Sequence, residues 1–100
     1  MGKCCKTCCD QDSLAGLATV LKVIAEPNRL KILCLLSSGE KCVCHLEESL
    51  CLSQNLVSHH LKVLRDADLI SRCKCGKWRH YSLNKQVVSN FQKVFSNILT

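Results

Sequence analysis

The stretch Leu52-Ser-Gln-Asn-Leu-Val-Ser-His-His-Leu-Lys-Val-Leu-Arg65 decides the fold of this chain. Its apolar residues recur every three or four positions, which predicts a helix over Gln54 to Ala67 with Ser53 as its N-cap. The predicted inward stripe consists of Leu56, Val57, Leu61 and Leu64. The opposite face is polar, so the stretch predicts a helix that packs on one side and leaves hydrogen-bonding groups free on the other.

The sequence period changes from that of a helix to that of a strand after this stretch. Leu69 to Cys75 and Lys77 to Leu83 are short β-type runs joined at Gly76-Lys77, which predicts a hairpin. Asp68 stands between helix and hairpin, and we expect it to adopt the left-handed conformation that Asp tolerates better than most residues.

Further helical patterns flank this region on both sides. The first follows a predicted N-cap at Ser13, the second and third are predicted over Pro27 to Ser38 and Lys41 to Cys51, and the last over Asn84 to Leu99. The fold class expected is therefore mainly α with a small β-hairpin, a winged helix-turn-helix. This domain is predicted over residues 13–100, and residues 1–12 are predicted to form a flexible, Cys-rich N-terminal arm.

The first and last helices carry apolar faces that one small core need not cover. A chain of 100 residues gains stability most cheaply by association, so we expect a homodimer. The residues predicted at the interface are Leu14, Leu17, Leu21, Val87, Phe91, Val94, Phe95 and Ile98. The alternative is that both helices pack only within their own protomer.

The positive charge of the chain is concentrated in one segment. The net charge is +6, and residues 53–85 hold seven basic against two acidic side chains, or +5. Such a segment suits a polyanion such as double-stranded DNA, although a solvated basic face is the alternative. The side chains predicted to contact base edges are Gln54, Asn55, Ser58 and His59, and those predicted to contact the backbone are Ser53, Lys62, Arg65, Lys74, Lys77 and Arg79.

The composition also indicates where the chain works. No run of 18 apolar residues is present, so no membrane partner is expected, and the first ten residues lack the apolar core of a secretory signal. We therefore predict a cytoplasmic protein. Ten cysteines in a reducing compartment favour metal binding or redox chemistry over a disulfide framework. No pattern pairs a nucleophile with an oriented base, so the chain is not expected to be an enzyme.

The pair Cys42 and Cys44 is the best candidate for a ligand site. Thiolates are soft ligands suited to As(III), Sb(III), Cd(II) and Pb(II), and a helix N-terminus favours the thiolate form. Within a helix, successive residues step by about 100°, so Cys-x-Cys would need a distorted first turn to bind one ion. The chain offers further thiols in the arm, which are Cys4, Cys5, Cys8 and Cys9.

The remaining cysteines carry weaker signals. Cys34 is expected to lie in the core, and Cys51 to end the third helix in a packing role. Cys73 and Cys75 are two positions apart on one predicted strand, so both face the same side. They could form a second soft-metal site, and the alternative is that they are simply part of the wing surface. A permanent zinc ion held within Cys4 to Cys9 is a separate structural alternative.

Four motifs together resemble the ArsR/SmtB family of metal-sensing repressors, over roughly residues 14–99. They are Glu26-Pro-Asn-Arg-Leu-Lys-Ile-Leu33, Lys41-Cys-Val-Cys-His-Leu46, the stretch Leu52 to Arg65, and Gly76-Lys-Trp-Arg-His-Tyr-Ser-Leu83. The resemblance implies a homodimeric repressor that leaves its operator when an inducer binds. One family pattern places a third Cys where this chain has Glu47, and some members bring an N-terminal arm to the partner's third helix.

The resemblance implies which cysteines form the metal site and which inducer is expected first. The metal site is predicted to combine Cys42 and Cys44 with thiols of the arm. Arsenite or antimonite is the expected inducer, because the wing and the polar helix are most similar to arsenic-type relatives. Cadmium or lead is the alternative inducer, and a thiol redox response is a further alternative.

Overall fold

The computed structural model describes residues 11–75 and 78–99. Its elements are α1 (Gln11–Ile24), α2 (Pro27–Leu36), β1 (Lys41–Cys42), α3 (Val43–Leu50), α4 (Gln54–Asp66), β2 (Ile70–Cys75), β3 (Trp78–Leu83) and α5 (Lys85–Leu99). The predicted mainly helical winged helix-turn-helix is confirmed. Helices α2 to α4 form the central bundle, β2 and β3 form the wing, and α1 lies against α5.

The sheet has three antiparallel strands in the order β1-β3-β2, where a two-stranded hairpin was predicted. Lys41 and Cys42 were predicted to open the third helix, and this is wrong. They form a short strand whose residues pair with Tyr81 and His80 of β3. Two residues are too few to show a strand period in the sequence, and the strand exists because β3 offers its free edge there.

Helix ends follow local capping groups. Glu26 is the N-cap of α2, and its carboxylate accepts the backbone N–H of Arg29 at 3.1 Å. Pro27 begins α2 as predicted, but the helix ends at Leu36, two residues earlier than expected. Helix α1 is already helical at Gln11, so Ser13 lies within it and is not its N-cap.

The core lies where α2, α3, α4 and the sheet meet. Its buried apolar residues are Ile32, Leu36, Leu46, Leu50, Val57, Leu61, Leu64, Leu69, Ile70 and Tyr81. Leu56 was predicted to face inward, but 49% of its surface is exposed. Cys34 and Cys51, predicted to pack, are also exposed, because no described element covers that side of α2 or the end of α3.

Helix α4 ends in a Schellman motif that requires a left-handed residue. The N–H of Leu69 bonds the carbonyl of Leu64 at 3.1 Å, and the N–H of Asp68 bonds that of Arg65 at 2.9 Å. Asp68 has φ 62°, which confirms the predicted left-handed conformation.

The substitution Asp68→Gly is expected to stabilise the protein by about 0.5–1 kcal/mol, because Gly adopts positive φ without a steric cost. Asp66→Gly is the matched control. It places Gly two residues earlier, inside the helix, and should destabilise by about 0.3–0.7 kcal/mol, from the lower helix propensity of Gly and the lost pair with Lys62. Urea unfolding of both variants measures the difference, and a lower midpoint for Asp68→Gly would contradict the capping account.

Candidate nucleic-acid interface and thiol site

Helix α4, called here the reading helix, presents one polar face to solvent. Its N-cap is confirmed, since the Ser53 hydroxyl accepts the N–H of Leu56 at 3.3 Å. Val57, Leu61 and Leu64 anchor the helix in the core. The side chains predicted to contact DNA from this helix lie on the exposed face, and they are Gln54, Asn55, Ser58, His59 and Lys62. This face can enter a major groove without unpacking the helix.

Lys62 and Arg65, the two basic side chains of the reading helix, differ in exposure. The Lys62 ammonium lies 3.2 Å from the Asp66 carboxylate, one helical turn along, and both side chains are exposed. A pair of this kind contributes little to stability, so Lys62 can exchange Asp66 for a phosphate at small cost. Arg65 is partly buried in the last turn of the helix.

The wing carries a cross-strand pair of cations. Lys74 of β2 and Arg79 of β3 are directly paired in register, and both are exposed. Like charges opposite each other destabilise an isolated hairpin, and a nearby polyanion relieves the repulsion. Lys77, also predicted to contact DNA, lies outside the described residues.

The sequence did not predict which way His60 faces. In the structure it is buried on the inner face of the reading helix. Arg29 of α2 donates from Nε to Nδ1 of His60 at 3.2 Å, and Glu26 Oε2 lies 3.9 Å from Nε2. Burial lowers the pKa of His60, Glu26 raises it, and Arg29 and His59 lower it, for a net decrease. Desolvation raises the pKa of Glu26, whereas the backbone N–H groups of Arg29 and Asn28, together with His60 and the Asn28 side chain, lower it, for a net decrease.

The Cys42-Val43-Cys44 segment bridges a strand and a helix. Cys42 ends β1 and is the extended N-cap of α3 (φ −82°, ψ 158°), while Cys44 is exposed in the first turn. The expectation that both thiols lie within one helix is therefore wrong. Because α3 begins only at Val43, joint ligation does not require a helical turn to open. Cys42 is instead tied to β3 through its pairing with His80.

These two thiols are an incomplete ligand set. Within residues 11–75 and 78–99, no group of three or more His, Cys, Asp or Glu side chains could hold a metal ion. Glu47 lies in α3 and is partly buried. The donor chemistry of Cys42 and Cys44 fits a thiophilic ion, but the third ligand must come from elsewhere. The arm residues Cys4, Cys5, Cys8 and Cys9 lie outside the described residues.

Helices α1 and α5 pack on each other and still leave apolar surface. Among the eight predicted interface residues only Leu17 is buried. Leu14, Leu21 and Phe95 are exposed, and Phe95 stacks on Phe91 at a ring-centroid distance of 5.8 Å. The two helices also flank an apolar groove of about 220 Å³. Packing within one protomer therefore leaves this face, called here the α1/α5 face, partly uncovered. The other predicted residues on it, partly buried, are Val87, Val94 and Ile98.

No helix among the described residues is both long and apolar enough to cross a membrane.

A winged helix-turn-helix with a free polar reading helix and a basic wing defines a DNA-binding transcriptional regulator. The profile of the family described as "Bacterial regulatory protein, arsR family" matches residues 26–72. The arsenical resistance operon repressor of Staphylococcus xylosus is 47% identical over 74% of this chain and 71% of its own length. The chain belongs to the arsR family of regulatory proteins, and it is a transcriptional regulator and not an enzyme.

Two further similarities agree with this assignment. The arsenical resistance operon repressor of Staphylococcus aureus is 42% identical over 78% of this chain and 75% of its own length. A solved structure described as a possible transcriptional regulator for arsenical resistance has a TM-score of 0.73 and 35% identity. That match covers 80% of this chain and 83% of the other.

Proposed function

We propose that this chain is a metal(loid)-responsive repressor that binds operator DNA as a homodimer and releases it when a thiophilic inducer binds Cys42 and Cys44. The observation that carries the proposal is the shortness of the link between the two sites. Helix α3 has eight residues and begins between the two cysteines, and only three residues separate its end from the reading helix. A ligand on the thiols therefore acts on the element directly next to the DNA-reading surface.

The proposed homodimer is supported by the uncovered α1/α5 face and by the geometry of DNA reading. Two copies joined through this face bring two reading helices to one side of a duplex. Such a dimer reads two half-sites about 34 Å apart, one helical turn of DNA. Gln54, Asn55, Ser58 and His59 then contact base edges, while Ser53, Lys62, Arg65 and the wing residues Lys74, Lys77 and Arg79 contact phosphates.

Release follows from a small displacement of α3. Ligation fixes Cys42, at the end of β1, relative to Cys44, in the first turn of α3. A shift of α3 moves the reading helix, because the two helices pack directly on each other. Allosteric couplings are typically about 1–3 kcal/mol, which weakens operator binding by up to about 100-fold.

Operator selection followed by an inducer panel tests the whole proposal. The unmodified protein is used to select duplexes from a random pool, and the enriched duplex is then titrated in the presence of arsenite, antimonite, cadmium, lead, zinc or peroxide. We expect arsenite or antimonite to release the duplex at the lowest concentration. The arsenical resistance repressors among its relatives support that ranking. Failure to enrich any duplex would refute DNA recognition, and a panel without effect would refute the switch.

The arm is proposed to complete the thiol site of the partner protomer. Replacing Cys4, Cys5, Cys8 and Cys9 together with Ser should leave operator binding intact and raise the arsenite concentration needed for release by about tenfold or more, because two thiolates cannot satisfy the three that arsenic(III) takes. The same gel-shift titration measures it. An unchanged release curve would show that the arm is not part of the site.

A further inference from the structure

His60 is the one buried polar side chain in the core of the described residues. It lies on the reading helix beside Val57, Leu61 and Leu64, on the side opposite the exposed polar face. Burying an imidazole in an apolar layer is costly unless it is hydrogen-bonded. Its partners are therefore the informative feature.

Those partners come from α2 and from the turn that precedes it, and one of them also bonds α1. Arg29 Nε donates to Nδ1 of His60 at 3.2 Å, and Arg29 Nη1 donates to the Val23 carbonyl of α1 at 3.3 Å. Glu26 Oε2 lies 3.9 Å from His60 Nε2, while its other oxygen caps α2. One cluster of three side chains thus joins the end of α1, the start of α2 and the middle of the reading helix.

We propose that His60, held between Arg29 and Glu26, is a positioning residue that fixes the rotation of the reading helix about its own axis. The inference rests on the proposed DNA-binding function. The other core contacts of this helix come from Val and Leu side chains, which pack without directional preference. A hydrogen bond is directional, so the Arg29 contact defines one rotation. A small rotation would move Gln54, Asn55 and His59 away from the base edges they contact.

The cluster works only with a neutral imidazole. Nδ1 accepts from Arg29, so the ring proton is on Nε2, facing Glu26. The charged or titratable groups that face His60 are Glu26, Arg29 and His59. Protonation of Nδ1 would remove the acceptor and place a cation against the Arg29 guanidinium. Burial is the largest effect and lowers the pKa of His60. Glu26 raises it, and Arg29 and His59 lower it further, so the pKa stays below its ordinary value and the ring is neutral at neutral pH.

The sign of the pH effect follows from this lowered pKa. In the unfolded chain His60 protonates at its ordinary pKa of about 6.5, while the folded site resists protonation. The stabilising contribution of the cluster is therefore complete above about pH 6.5 and is lost as the pH falls below it through the folded pKa.

Two substitutions of His60 in the full chain separate positioning from mere packing. His60→Asn places an amide oxygen near the position of Nδ1, so it can still accept from Arg29 but cannot titrate. His60→Leu fills the buried site with an apolar side chain and offers no acceptor. The probe is the duplex selected from the random pool, compared with a scrambled duplex of the same composition.

At about pH 7.5, His60→Leu is expected to weaken binding to the selected duplex by about tenfold, because the reading helix is no longer held at the rotation that places its polar side chains on the base edges. Binding to the scrambled duplex should change little, and His60→Asn should bind the selected duplex nearly as the unmodified chain does. Between about pH 7.5 and pH 5.5, the unmodified chain should lose more affinity than His60→Asn, which lacks the titrating ring.

Equal binding of the selected duplex by His60→Leu and the unmodified chain would overturn the proposal. If His60→Leu fails to fold, the pH profiles decide it, and identical profiles for His60→Asn and the unmodified chain would overturn it as well. An unmodified chain that selects no duplex at neutral pH would instead refute the proposed function, so the two failures are distinguishable.

Discussion

Replacing Cys42 and Cys44 together with Ser is expected to abolish release of the operator by arsenite while leaving operator binding without inducer unchanged. Without the two thiols, the arsenite-induced decrease in operator affinity, up to about 100-fold, should disappear completely, because inducer binding is no longer coupled to DNA binding. Gel-shift titration of the selected duplex, with and without arsenite, measures both quantities for each protein.

A matched control uses two other thiols of the same chain. Cys34→Ser combined with Cys51→Ser also removes two exposed thiols, one on α2 and one just after α3. This variant should release the operator as the unmodified chain does. If the Cys34 and Cys51 variant no longer releases the operator with arsenite while the Cys42 and Cys44 variant still does, the inducer does not bind at Cys42 and Cys44.

The variant Phe95→Asp is expected to convert the dimer to a monomer and to weaken operator binding by about 100-fold or more, because the second half-site then no longer benefits from linkage to the first. Phe95 is 36% exposed on the α1/α5 face, so a carboxylate there is tolerated in a monomer and excluded from an apolar interface. Sedimentation equilibrium measures the association state, and duplex titration measures affinity.

Leu30→Asp is the matched control for the dimer prediction. Leu30 is 50% exposed on α2 and does not line the groove between α1 and α5, so this variant should stay dimeric and keep its affinity. Binding to a duplex with a single half-site should be equally weak for Phe95→Asp and for the unmodified chain, which shows that each reading helix is intact. A dimeric Phe95→Asp would place the interface elsewhere.

The two caps of the reading helix could be read from the sequence because each acts over only a few residues, whereas the N-cap predicted at Ser13 was wrong. Ser53 caps the reading helix and Asp68 ends it in the left-handed conformation, both as predicted. The inward placement of Leu56 was wrong because helical spacing assigns a broad apolar stripe, whereas burial depends on which neighbouring element reaches that side of the helix. Among the described residues no element does so at Leu56, which is 49% exposed.

The sequence by itself determined the helical elements, the polar face of the reading helix, the basic segment and the two thiols beside it. These features depend on residue spacing and composition along a continuous segment. Only the tertiary structure placed Cys42 at the end of a strand, since that strand forms by pairing with His80 and Tyr81 far along the chain. The same holds for His60, whose burial and partners depend on Arg29, thirty-one residues earlier. Contacts between distant segments have no period in the sequence, so only the assembled fold could decide them.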